Sequence, residues 1–215
     1  MWQDLQDCLF DAPFTVIAVA EEGRGPEQAR PWIEQARPAY PCLIDSDHRV
    51  SALYGMVNVP QCVWIDEQGM IVRPPETAGS TDHFRRMDFS TRTLAPEDAA
   101  ARLAARAAYL DAVRAWVRTG KHALPGDVAR ARMPVFTAGM AQADALFRLA
   151  LHLRRQGQEA EAGEHFAEAS RLHPESWSMF RDAMALEPSG LAGGAAFWDR
   201  VNALGDKPYY PPPAL

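Results

Sequence analysis

What this chain lacks narrows its chemistry. It has no Cys-x-x-Cys: its three cysteines are Cys8, Cys42 and Cys62. Three scattered thiols match neither a secreted disulfide framework nor zinc-ligand spacing. The six histidines (His48, His83, His122, His152, His165 and His173) show no ligand spacing either, and His165 and His173 read as surface positions on a helix. A glycine-rich phosphate loop and a Gly-x-Ser-x-Gly elbow are absent. No cofactor or metal is therefore expected. No apolar run is long enough for a transmembrane helix. No charged-then-apolar leader opens the chain, so the sequence as written reads as cytoplasmic, with no membrane contact. Positive charge is in deficit: 22 Lys and Arg against 28 Asp and Glu, net −6. That balance argues against nucleic-acid affinity. The arginine-bearing helices are interspersed with Glu and Ala and read as solvated faces. At 215 residues the chain can hold a sizeable core, or one domain plus a helical appendage.

What is present begins with an α/β pattern. Phe14–Ala20 is a short apolar run rich in β-branched residues, suited to a strand buried on both faces. Pro26-Glu27-Gln28 opens a helix, with Pro and Glu both favoured in a first turn. Ala29, Trp32, Ile33 and Ala36 give it an apolar face, and Pro38 and Pro41 close it. Cys42-Leu43-Ile44 is a second strand, followed by a turn and cap at Asp45-Ser46-Asp47. His48–Tyr54 reads as a short helix stopped by Gly55. Pro60 holds its predecessor extended. Cys62–Ile65 and Met70–Val72 form a hairpin around Asp66-Glu67-Gln68-Gly69.

These residues resemble a family. Tyr40-Pro41-Cys42-Leu43-Ile44-Asp45, Ala52-Leu53-Tyr54-Gly55, Val59-Pro60 and Trp64-Ile65-Asp66-Glu67-Gln68-Gly69, in that order, resemble thioredoxin-like thiol–disulfide oxidoreductases of the TlpA/ResA and AhpC/TSA (redoxin) branch. The resemblance covers about the first third of the chain and implies an incomplete thioredoxin-like sheet with flanking helices. It also implies that Pro60 is the family's cis-proline and that Val59 pairs its backbone with an extended substrate; the alternative is an ordinary trans proline opening a strand. By the same resemblance the reactive cysteine pair belongs at the start of the helix before the Phe14 strand. Met1–Phe10 reads as the later part of that helix, with Leu5, Cys8 and Leu9 on one face. The pair and the central strand would then lie upstream of Met1. Three explanations stand open: a start further upstream, which would allow export; a strand supplied by another chain; or a sheet that closes without it in a non-catalytic form. Unpaired strand edges also allow a homodimer. Cys62, two residues past Pro60, is the one thiol with a weak claim to catalysis, set against plain core packing; Cys42 reads as a buried small hydrophobe.

From Pro74 the character changes. Pro74–Thr81 reads as a linker, Asp82–Met87 as a short helix, and Pro96 to Gly120 as a long helix with Leu103, Leu110, Val113 and Val117 as its stripe. A further short helix is expected over Leu124–Met133. Leu146, Leu149, Ala150, Leu153, Gly157, Ala162, Phe166, Ala169, Leu172 and Pro174 match the tetratricopeptide (TPR) pattern across Ala143–Ser176. Trp177 and Phe180 begin a third helix. Lys207–Pro213 is a proline-rich tail of polyproline type, expected to lie on the protein's own surface, to be disordered, or to serve a partner. The expected layout is a partial thioredoxin-like domain at 1–92, an all-α region at 93–207 with the hairpin at 143–176, and the tail at 208–215. The expected function is that of a redoxin-family protein not catalytic as written, or a protein-interaction module using the TPR-like helices. Its partner would be a protein thiol or disulfide, or a peptide.

Overall fold

The apolar run at Phe14 becomes a strand only at its far end. The computed structural model describes residues 1–88, 91, 93–188, 190 and 192–215. In it the Val16 N–H donates to Gln6 Oε1 at 2.9 Å. The strand ladder starts two residues later, where the Ala18 N–H reaches the Pro41 carbonyl at 3.0 Å.

The elements run α1 (Trp2–Cys8), β1 (Ala18–Glu21), α2 (Pro26–Ala36), β2 (Cys42–Asp45), α3 (Arg49–Tyr54), β3 (Gln61–Ile65), β4 (Ile71–Thr77), a 3-10 helix (Asp82–Arg86), α4 (Pro96–Thr119), α5 (Gly126–Ala131), α6 (Ala138–Arg155), α7 (Glu159–Leu172), α8 (Trp177–Ala183) and α9 (Ala195–Asn202). The fold is mixed α/β, with small sheets flanked by helices and an all-helical C-terminal region. β1 and β2 pair in parallel, Ala18 opposite Cys42 through Glu21 opposite Asp45. β3 and β4 form a separate antiparallel pair.

The chain divides into two compact units interleaved in sequence. Unit 1 comprises Met1–Gln6, Thr15–Val59 and Pro134–Trp198; unit 2 comprises Asp7–Phe14, Pro60–Met133 and Asp199–Leu215. The sequence reading set a boundary after residue 92, and Arg92 lies outside the described residues. The units divide elsewhere because the first α/β segment and the C-terminal helices share backbone bonds. The N–H groups of Trp177 and Ser178 both donate to the Val57 carbonyl, at 2.6 and 3.1 Å.

In unit 1, α6 and α7 are joined by a three-residue turn and pack as an antiparallel hairpin. Gly157 supplies the turn's positive φ of 78°. Ala143, Phe147, Ala150, Leu151, Ala162, Phe166 and Ala169 are buried between the helices, with Met179 of α8 completing the cluster. The alanines let the helix axes approach closely.

Unit 2 corrects two expectations. Pro74–Thr77 is the second half of β4, not a linker, and Arg73, Pro74 and Thr77 are buried. Register shifts between Cys62 and Ile65 absorb the prolines, which cannot donate to a ladder. Leu103 stands 64 % exposed, so the expected stripe does not hold at its first position. Leu110 and Val113 of that stripe are buried, together with Tyr109 and Ala112. No helix among the described residues is long and apolar enough to cross a membrane.

Candidate functional site

In unit 1 the carboxyl ends of both parallel strands carry acids, Glu21 on β1 and Asp45 on β2. Asp45 caps α3: its Oδ1 accepts from the Arg49 N–H at 2.9 Å and its Oδ2 from the Val50 N–H at 2.6 Å. Between them the chain turns through His48 in the left-handed region, φ 52°. The turn buries the imidazole against the Phe147 ring edge, centroids 4.9 Å apart. His48 Nδ1 lies 3.9 Å from Glu21 Oε2, and Nε2 lies 3.7 Å from Asp182 Oδ2. Both separations exceed a direct hydrogen bond.

Asp182, on α8, is the hub of a buried charge cluster. Its Oδ1 accepts from Arg24 at 2.9 Å and its Oδ2 from Arg154 at 3.1 Å. Its backbone carbonyl accepts from the same two guanidinium groups, each at 2.8 Å. Arg24 also reaches the Met184 carbonyl at 2.6 Å, and Arg154 lies over the Phe166 ring. Gly23 makes the close approach possible, since a Cβ there would overlap Asp182 Oδ2 and the Leu151 side chain.

Beside His48 is a cavity of about 10 Å³, lined in part by Ser51, Asp144, His173, Ser176 and Ser178. His173 is buried, not exposed on a helix: α7 ends at Leu172, and His173 turns inward as its cap. Burial holds the His173 imidazole below its ordinary value of 6.5, with Asp144 and Glu175 pulling it up. Burial pushes the Asp144 carboxyl up, with His173 and Arg148 opposing. A histidine depressed in the fold contributes stability above pH 6.5 and loses it as pH falls through its folded value. Asp144 has the opposite sign and favours the fold only at lower pH, where it becomes protonated. The wild type is therefore expected to lose more thermal stability between pH 7 and 5 than His173→Gln. Equal pH slopes for the two proteins would show that His173 does not drive the loss.

Also in unit 1, α7 and α8 border an open groove of about 470 Å³. Gly163, Phe166, Ala167, Phe180, Ala183 and Met184 line it, and the two-thirds-exposed Arg171 also lines it.

The residues expected from the sequence fall differently. Val59 ends unit 1 and Pro60 begins unit 2. The Val59 N–H donates to its neighbour's Asn58 Oδ1 at 2.9 Å, and the Pro60 carbonyl accepts from the Ala78 N–H at 3.1 Å. All three cysteines are free: Cys8 exposed, Cys42 and Cys62 partly buried. In unit 2, Cys62 sits opposite Glu76 in the β3–β4 ladder. Burial pushes its thiol up to about 12, against a hydrogen bond from Tyr109 and in the same direction as Glu76. Tyr109 is itself raised, chiefly by burial, and accepts from Trp64 Nε1 at 2.9 Å. At pH 8 the Cys62 thiol is therefore almost wholly protonated. Iodoacetamide at that pH is expected to modify the exposed Cys8 in the folded protein, and Cys62 only on unfolding. Mass spectrometry of tryptic peptides checks this; comparable rates would contradict the burial.

Glu21, Arg24, His48, Arg154 and Asp182 form the cluster that motif reading missed. One local sign was available: Asp182 follows Met179 by three positions and so falls on the buried face of a helix. Comparison with known proteins gives no match: no family model, no curated protein and no solved structure corresponds to this chain.

Proposed function

We propose that this chain is a protein-binding module of thioredoxin-like lineage that does not itself perform thiol–disulfide chemistry. The observation that carries the reading is the open apolar groove between α7 and α8 in unit 1. It fits an amphipathic segment of a partner protein. An apolar side chain of that segment packs on Phe166, Phe180 and Met184, while Arg171 at the rim is already held by both oxygens of Glu168. The small Gly163 and Ala167 leave room for the partner's backbone. The lineage rests on the ordered motifs between Tyr40 and Gly69. Support for the non-catalytic half comes from the thiols: thiolate is the attacking species, and burial disfavours it at Cys62.

Two measurements test the two halves. In an insulin-disulfide assay the wild type is expected to turn over no faster than Cys62→Ser; a rate that depends on Cys62 overturns the non-catalytic half. For binding, a photo-crosslinking residue at position 167 identifies the partner, which is then purified and titrated calorimetrically. Ala167→Arg is expected to weaken that titration at least tenfold with the melting temperature unchanged. Unchanged affinity overturns the groove.

A further inference from the structure

The proline-rich tail is held in unit 2 by a cradle that reads its sequence. The Asp82 carboxylate accepts two consecutive backbone N–H groups, Tyr209 to Oδ2 and Tyr210 to Oδ1, each at 2.7 Å. The Phe84 ring meets both tyrosines edge-on, centroids 5.2 and 5.8 Å away. Arg85 donates to the Gly205 carbonyl at 3.0 Å and stands 3.6 Å from Asp82. Further along, Arg73 donates to the Ala214 carbonyl at 2.7 Å. Tyr209 is buried, whereas Pro211 and Pro212 are exposed.

This arrangement has one register. Pro208, Pro211, Pro212 and Pro213 have no N–H to give, so between 208 and 213 only Tyr209 and Tyr210 can satisfy the carboxylate. The prolines also hold Tyr210, Pro211 and Pro212 extended before binding, which lowers the ordering cost. A carboxylate that captures two adjacent N–H groups beside an aromatic platform, with a guanidinium on a downstream carbonyl, is the chemistry of peptide recognition.

We propose that Arg73, Asp82, Phe84 and Arg85 form a recognition site for extended Pro-Tyr-Tyr-Pro segments, occupied in cis by this chain's own residues 208–214. A protein carrying such a segment competes with the tail for it.

The test uses the full chain and a fluorescent synthetic peptide of residues 206–215. The wild type is expected to bind it poorly, because a tethered ligand acts at millimolar effective concentration. Tyr209→Ala with Tyr210→Ala removes both rings from Phe84, loosens the tethered segment and is expected to bind the peptide at least tenfold more tightly than the wild type. Adding Asp82→Asn to that variant is expected to abolish the gain. A double variant that melts cooperatively yet binds no better than the wild type overturns the proposal. Hydrogen exchange on the wild type is the second measurement. The Tyr209 and Tyr210 amides are expected to be protected, yet to open at lower denaturant than the amides of α4. Their exchange only through global unfolding would make the segment a fixed part of the core and overturn its role as a displaceable ligand.

Discussion

Asp182→Ala is expected to lower stability by about 3–5 kcal/mol, a shift of roughly 10 °C in melting temperature. Asp182 is 5 % exposed, and its guanidinium partners on Arg24 and Arg154 are 18 % and 15 % exposed. Alanine leaves both cations in place and removes the carboxylate that justifies them. Arg24 retains the carbonyls of residues 182 and 184 and the Glu22 carboxylate at 3.5 Å, but Arg154 retains only the carbonyl of residue 182. Stranding buried charge costs more than the pair contributes in the intact protein. Asp182→Asn keeps the volume and one acceptor oxygen, so it is expected to cost less than alanine. Urea unfolding followed by circular dichroism measures both; a loss below 1 kcal/mol for alanine would mean that water reaches the arginines. Net stabilities of whole proteins are only about 5–15 kcal/mol, so one side chain decides much of this one.

Arg73→Ala is expected to cost a similar amount, about 3–5 kcal/mol, in unit 2. The Arg73 side chain is 2 % exposed and grips both oxygens of Glu76 at 2.7 Å. It also lies 5.1 Å over the Trp64 ring and donates to the His122 carbonyl at 3.0 Å. Its loss opens a hole beneath Trp64 and leaves Glu76 without its cation. Arg73→Lys keeps the charge but not the planar fork, so it is expected to recover only part of the loss. Full recovery by lysine would show that charge alone matters and that the two-pronged geometry does not. Equilibrium unfolding of the three proteins in urea decides between these outcomes.

Much of the local structure was legible because its causes are local. The Pro26 and Pro96 helix starts, the Gly55, Gly120 and Gly157 stops, and the Asp66–Gly69 hairpin follow from backbone conformations that only a few residues favour. The hairpin of α6 and α7 was legible from its alternating large and small apolar positions. Other features answer to distant partners. Phe14–Ile17 has strand-forming residues, but a glutamine ten positions earlier takes the Val16 N–H. Pro74–Thr77 has linker composition, yet β3 binds it in irregular register.

The site was less legible than the fold. Of the three thiols only Cys62 had a weak claim, set against core packing, and burial suppresses its ionisation. Motif reading passed over His48 because an isolated histidine carries no spacing signal. It set His173 on the surface because a helix pattern does not reveal that the chain turns inward one residue past the helix end. The cluster around Asp182 joins residues 21, 24, 48, 154 and 182, so no short window contains it.

The interleaving of the two units sets an order of assembly on the ribosome. Unit 1 cannot close until residues 134–198 have emerged, although its parallel strands appear early, and unit 2 waits for 199–215. The nascent β1–β2 pair is thus left without the helices that complete its unit until those later residues are made. Until then its unpaired strand edges are exposed to association with other chains.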